Sequence, residues 1–285
     1  MDGKNLFPKV PDQHKPGKPL VPNGLGIIYV LSSTLYLFTL HYLGFEGALP
    51  LAVCILFGGF LGLLDDCMDL RWRYKAFLPL LAALPLATLR QGNSWMATYF
   101  FGSRDFGLLF YFVIIPVIVT VTTNVVNQLG GLKGLETMCP SIVLIGLMLV
   151  SGAKMVLLYE PLATYLVLAV FNFQGKIFVG NTGTFAIGIT LASYAIVANV
   201  EQTLLVSILP YIFNASLILL NFFLFRKSPS LIFDGKILKS EHRRSLLTLI
   251  AYYFPKKERV LVSIIAFIFV LSTALAILLS MLSTM

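Results

Sequence analysis

Apolar runs alternate with short polar stretches along the whole chain. The runs lie at 24–43, 47–64, 76–90, 107–124, 140–158, 161–173, 183–199, 203–225 and 259–282. About 20 apolar residues in a helix cross the hydrocarbon core of a bilayer. In lipid each backbone N–H and C=O needs a partner inside the protein, so the runs predict helices and not open strands. The sixth run is the shortest and predicts a partial or tilted element. The fold class expected is all-α: a polytopic membrane helix bundle of about nine transmembrane helices. Residues 1–23 form a polar lead-in, and 24–285 a single transmembrane domain.

Composition supports lipid as the solvent. The chain is 58% hydrophobic and 12% charged, about half the charge of a soluble domain, which excludes a secreted soluble protein. The lead-in has no signal-peptide core. Alternating sides from an inside N-terminus puts 18 of the 21 Lys and Arg residues on the inside. Basic residues gather in cytoplasmic loops, so the N-terminus is expected in the cytoplasm and the C-terminus outside. The net charge of +8 then reads as orientation, with no nucleic acid as partner. Cys54, Cys67 and Cys139 have no C-x-x-C spacing and offer neither a disulfide framework nor a zinc site.

This topology collects the polar chemistry on one side, in loops 65–75, 125–139, 174–182 and 226–258. The outer loops 44–46, 159–160 and 200–202 are too short to hold a site. Asp65 and Asp66 end the second run, where a helix C-terminus already carries partial negative charge. Two readings fit: a solvated loop with arginines, or a site where one carboxylate acts as base or metal partner and the other positions it. In "TNVVNQLGGLKGLE", Asn124 and Asn127 are three apart and share a helix face. The glycines Gly130, Gly131 and Gly134 allow close backbone approach to a ligand, or simply end a helix. In "FVGNTGTFAIG", Asn181 or Thr182 is placed to cap a new helix, whose N-terminus could bind an anion. The Asp234–Gly235 pair predicts a turn. "SEHRRSLLTLIAYYF" predicts a helix lying at the membrane face. The sequon at Asn214 falls inside a span and reads as a chance match.

Taken in order, "DDCMDLRWRYK", "NVVNQLGGLKGLE" and "FVGNTGTFAIG" resemble the polyprenyl-phosphate N-acetylhexosamine-1-phosphate transferases. "HKPGKPLVPNGLG" is similar to the first cytoplasmic loop of that family, and "LRWRYK" to its archaeal and eukaryotic branch. The resemblance implies transfer of a sugar 1-phosphate from a UDP-sugar, GlcNAc being the expected sugar, to polyprenyl or dolichyl phosphate. UMP leaves, and the product serves glycan synthesis such as protein glycosylation. It implies Mg²⁺, or Mn²⁺, on the nucleotide diphosphate. By position it implies Asp65, Asp66 and Lys75 as catalytic residues at the lipid phosphate. Asn124, Gly131, Lys133, Arg226 and Lys227 would bind substrate, and Asn127 and Asn181 the metal. A homodimer or a homologous partner is also implied. The membrane would be the plasma membrane in a prokaryote and the endoplasmic reticulum in a eukaryote, with the site cytoplasmic.

The chain departs from the family pattern near the metal and nucleotide. Asn181 stands where the family has Asp, Lys133 where it has Asn or Asp, and Asn23 where an acidic or small residue is usual. Nine runs against the family's usual ten spans lead to the expectation that its first helix has no counterpart here, and the histidine-rich loop of bacterial members has none either. The alternative function is a homologue that binds polyprenyl phosphate or a partner without turnover. A transporter is disfavoured, because such proteins place charge near mid-membrane and Lys154 is the charge that falls inside a run.

Overall fold

A computed structural model of the protein describes residues 7–12, 17–98, 102–226 and 228–283. It is a helical, multi-pass membrane protein. Two short strands, β1 (Lys9–Pro11) and β2 (Leu20–Pro22), pair antiparallel. Helices α1 (Gly26–Tyr42) and α2 (Ala48–Met68) follow. The next stretch is three short pieces, α3 (Trp72–Phe77), α4 (Pro79–Ala82) and α5 (Leu84–Thr88). A hairpin of β3 (Trp95–Thr98) and β4 (Gly102–Asp105) leads to a π-helical turn at Phe110–Ile114. That turn continues as α6 (Ile115–Gln128), followed by α7 (Leu135–Val150). A 3₁₀ segment, Gly152–Leu158, leads into α8 (Tyr159–Phe173), and α9 (Gly180–Ala198) follows. Helices α10 (Glu201–Ser207) and α11 (Leu209–Phe225) meet at a 56° bend. A small hairpin, β5 (Ile232–Phe233) and β6 (Leu238–Lys239), precedes α12 (Leu246–Tyr253) and α13 (Glu258–Ser283).

Among the described residues, five helical stretches are long and apolar enough to cross a membrane, and six if α10 and α11 count as one. Helices α1 and α7 are apolar but shorter. The structure corrects three expectations. The run at 76–90 is not one unbroken helix, because Pro79 and Pro85 each restart it; a proline lacks the donor N–H and clashes with the preceding turn. The short sixth run belongs to one continuous stretch of 22 residues, Gly152–Phe173, so 159–160 is no loop. Residues 65–75 are mostly helical, Asp65 and Asp66 lying in the last turn of α2. The turn at Asp234 and Gly235 forms as expected, with Gly235 at φ 66°. So does the helix after the basic pair, which starts on a Ser245–Thr248 capping box.

Helix α9 is the axis of the core, packed against α2 on one side and α6 on another. The α2 and α9 backbones touch closely. A Cβ on Gly62 would sit 2.5 Å from the Thr182 Cα, and one on Gly26 would collide with the Gly183 backbone. The segment before α1 is tied to the segment before α9: Phe178 N–H donates to the Pro22 carbonyl (2.8 Å) and Gly26 N–H to the Val179 carbonyl (2.9 Å). These ties bring the starts of α1 and α9 to one rim.

Candidate active site

The two adjacent aspartates serve different partners. Neighbours on a helix point about 100° apart, and here that splits the pair. Asp65 is buried, and its Oδ1 accepts the Leu70 N–H (2.9 Å) and the Lys75 ammonium (2.8 Å). Lys75 also lies 3.7 Å from Asp69. Asp66 turns the other way, into the start of α9. Its Oδ1 accepts the Asn181 N–H (2.9 Å), and its Oδ2 accepts both the Thr182 N–H (2.9 Å) and hydroxyl (2.7 Å).

The α9 N-terminus is therefore an anion site, and the anion is the carboxylate of Asp66. Neither Asn181 nor Thr182 caps the helix by its own side chain, contrary to expectation. A carboxylate on free N–H groups answers both the orphan donors and the helix dipole. The contact needs close approach, and Gly180 allows it: φ is 69°, and a Cβ there would lie 2.7 Å from Asp66 Oδ2.

Beside this clamp opens a cavity of about 580 Å³. Of the residues singled out in the sequence, Asn23, Asp66, Asn127, Gly131, Lys133 and Asn181 line it. Asn127 Oδ1 accepts the Thr184 hydroxyl (2.6 Å). Gly131 has φ 93° and donates its N–H to Glu136 (3.1 Å). Lys133 is only 6% exposed. Its ammonium meets Asp12 (2.5 Å) and Glu258 (3.3 Å), and its N–H donates to the other Glu258 oxygen (2.9 Å). This ammonium ties the N-terminal hairpin to the first turn of α13.

The other candidates lie elsewhere. Asp65 pairs with Lys75 of α3, and neither lines the cavity. Asn124 sits on α6 but gives its amide to the carbonyls of Ala76 (3.1 Å) and Thr120 (2.9 Å). Arg226 ends α11 in the left-handed conformation, φ 49°, and is exposed, away from the cavity lining. Lys227 lies outside the described residues. Sequence reasoning missed Asp12, Glu136 and Glu258, all of which line the cavity. Only Glu136 carried a signal, standing at the end of the glycine-rich motif.

Four carboxylates and one ammonium line the cavity, an excess of negative charge that would repel a nucleotide diphosphate unless cations accompany it. Among the described residues no three His, Cys, Asp or Glu side chains form a metal cluster. The donors present are carboxylate and amide oxygens, which suit Mg²⁺, an ion that takes one or two protein oxygens and completes its shell with phosphate and water. The donor set fits such an ion.

Fold and cavity define a helical membrane protein with a carboxylate-lined pocket at converging helix ends. A model described as glycosyl transferase family 4 matches residues 48–199. The chain belongs to glycosyl transferase family 4. It is 33% identical over 212 residues to a Saccharolobus solfataricus protein provisionally named UDP-N-acetylglucosamine–dolichyl-phosphate N-acetylglucosaminephosphotransferase, covering 70% of this chain and 66% of that one. The Dictyostelium discoideum protein of the same name is 28% identical over 261 residues, covering 71% of this chain and 62% of that one. A Methanocaldococcus jannaschii protein, provisionally named a glycosyltransferase, is 29% identical over 284 residues, covering 95% and 88%. The chain spans about two thirds of the length of these two phosphotransferase relatives.

Proposed function

We propose that the protein moves GlcNAc 1-phosphate from UDP-GlcNAc to dolichyl or another polyprenyl phosphate and releases UMP. The observation that carries this reading is the Asp66 clamp on the α9 N-terminus, beside which Asn127, Gly131 and Asn181 line one cavity. The names of the archaeal and Dictyostelium relatives support the donor and the acceptor.

In the proposed step an oxygen of the lipid phosphate attacks the β-phosphorus of the donor. A P–O bond forms there, the bridging P–O bond to the α-phosphate breaks, and its electron pair leaves with UMP. Such a transfer depends on positioning and on neutralising charge spread over the phosphate oxygens. Lys75, oriented by Asp65, would neutralise the acceptor phosphate. Asp66 would hold the α9 terminus, and with it Asn181, in place. Asn127 and Asn181, with Asp66 or Glu136 behind them, would hold Mg²⁺ or Mn²⁺. Bound there, the ion would neutralise the donor diphosphate. Gly131 would let the donor approach the backbone.

We read nine spans, counting α3–α5 as one and α10–α11 as another, with the N-terminus and the cavity in the cytoplasm. The membrane is the plasma membrane in a prokaryote and the endoplasmic reticulum in a eukaryote. The test is purified protein in lipid with polyprenyl phosphate, Mg²⁺ and a panel of UDP-sugars, with UMP as readout. UMP release with UDP-GlcNAc is expected. No release with any UDP-sugar, in Mg²⁺ or Mn²⁺, would leave only lipid-phosphate binding.

A further inference from the structure

A second cavity, of about 340 Å³, is walled by the turn after α6, by α11 and by the arm that follows it. Small-ligand sites usually span about 300–1,000 Å³. Gly131 lines this cavity as well as the first, so the two share a wall residue. One turn beyond Ile218 of that wall, Phe222 packs edge-on against Trp72, their ring centroids 6.5 Å apart. Trp72 and Lys75 stand on the same short helix, α3. The second cavity therefore borders the first at Gly131 and, through α11, the helix that bears Lys75.

One group in this wall is unsatisfied. Asn214 lines the cavity and is 1% exposed. Its Oδ1 accepts the Leu246 N–H (2.9 Å) at the start of α12. An N–H needs an acceptor, so this bond fixes which end of the amide is oxygen. The Nδ2 has no hydrogen-bond partner among the described residues, and a buried donor without an acceptor is costly. The hydroxyls in the wall have partners: those of Ser245 and Thr248 contact each other (3.0 Å), and that of Ser230 contacts His242 Nε2 (2.9 Å). Ile218, Leu231 and Leu247 make the wall apolar beside this amide.

We propose that the second cavity takes the N-acetylhexosamine of the donor and that Asn214 selects it by its acetamido group. The inference rests on the transferase reading above and adds the residue that chooses the sugar. The acetamido carbonyl accepts from Asn214 Nδ2, and the methyl lies against Ile218, Leu231 and Leu247. A plain hexose has a hydroxyl in that place, which could accept from Nδ2 but would set its own donor against apolar side chains. A lipid tail would leave Nδ2 unpaired. The nucleotide stays in the first cavity, and the donor crosses at Gly131, where a side chain is lacking and the space around a Cβ is open.

The test is calorimetric titration of the purified full-length protein, with Mg²⁺, by UDP, UDP-glucose and UDP-GlcNAc. UMP release from UDP-GlcNAc and polyprenyl phosphate is measured in parallel. The wild type should bind UDP-GlcNAc about tenfold or more tighter than UDP-glucose, since a site built to bond one substituent rejects the analogue that lacks it. Asn214→Asp keeps an acceptor for Leu246 and removes the donor, and should bind the two sugars alike. Ile218→Phe takes the space of the methyl, leaves the amide intact and should also lose the preference. Both variants should bind UDP as the wild type does, which reports an intact first cavity; should Asn214→Asp fail that check, Ile218→Phe decides. A preference for UDP-GlcNAc that survives these substitutions would overturn the proposal. So would a wild type that binds UDP-GlcNAc no tighter than UDP-glucose. A preference that the variants lose, in a protein that releases no UMP, would sink the transferase reading and leave Asn214 as the contact to the sugar.

Discussion

Helices α9 and α13 are both long enough to cross a bilayer, yet they are built oppositely. Helix α9 is the least apolar of the membrane-length helices, and 89% of its apolar window is buried. Helix α13 is the most apolar, and only 39% of its window is buried. In a soluble protein the greasier helix would be the inner one. In a bilayer lipid tails are as apolar as leucine, so burial is driven by close packing and hydrogen bonds, which favour small and polar residues inside. Helix α9 reads Gly-Asn-Thr-Gly-Thr at its start for that reason. The site therefore rests on the helix with the weaker hydropathy signal.

The sharpest way to break the contrast is one bulky residue in each place. Gly62→Leu pushes a side chain into the Thr182 backbone, which cannot give way. It should cost about 3 kcal/mol or more and leave little monodisperse protein in detergent. Leu275→Ala, on the exposed face of α13, should leave thermal unfolding almost unchanged. Equal losses from the two would end the distinction.

Next comes Asp66→Asn. The new amide can face the Asn181 and Thr182 donors with only one acceptor oxygen, and the charge at the helix terminus is lost. Charge-assisted hydrogen bonds are worth about 1.5–3 kcal/mol each, and transfer should fall about a hundredfold or more. Asp65→Asn should instead weaken the hold on Lys75, raising the KM for the lipid acceptor more than that for the nucleotide. Identical kinetic changes in the two variants would mean that the divergence of the pair has no consequence.

A smaller effect should follow from Asn181→Asp. The added carboxylate joins a cavity already rich in negative charge, so the variant should melt lower than the wild type without divalent ions. Mg²⁺ should raise its melting temperature more than that of the wild type. A Mg²⁺ response equal to the wild type would remove residue 181 from the ion site.

Much of this was legible in the sequence because run length and helix type are local properties. The motif order was legible too, and the family match at 48–199 agrees with it. What stayed hidden depends on distance or on single residues inside apolar runs. The partners of Asp66 lie more than 100 positions away, so its capping role had no local sign. Pro79 and Pro85 are invisible to an apolar count but decide where helices restart. Tyr159 and Glu160 read as a loop between two runs, although the helix continues through them. That Arg226 ends α11 in the left-handed conformation likewise had no local sign.

The mildest test concerns the arm after α11, where residues 228–244 are mostly exposed or half-buried, in contrast to the buried α9 core. His242 Nε2 accepts the Ser230 N–H (3.1 Å) and contacts the Ser230 hydroxyl (2.9 Å). Partial burial, and then the Arg244 guanidinium, hold the imidazole pKa below its usual 6.5. Unfolded, the ring takes its proton at the ordinary value; folded, it resists. The unfolded arm therefore binds more protons as pH falls through 6.5, and the folded arrangement loses stability there. A protonated Nε2 can no longer accept from Ser230. Amide exchange at Ser230 should quicken between pH 7 and pH 5 relative to the intrinsic rate, while amides along α9 stay protected. His242→Ala should remove that pH dependence, and its persistence in the variant would show that another group loosens the arm.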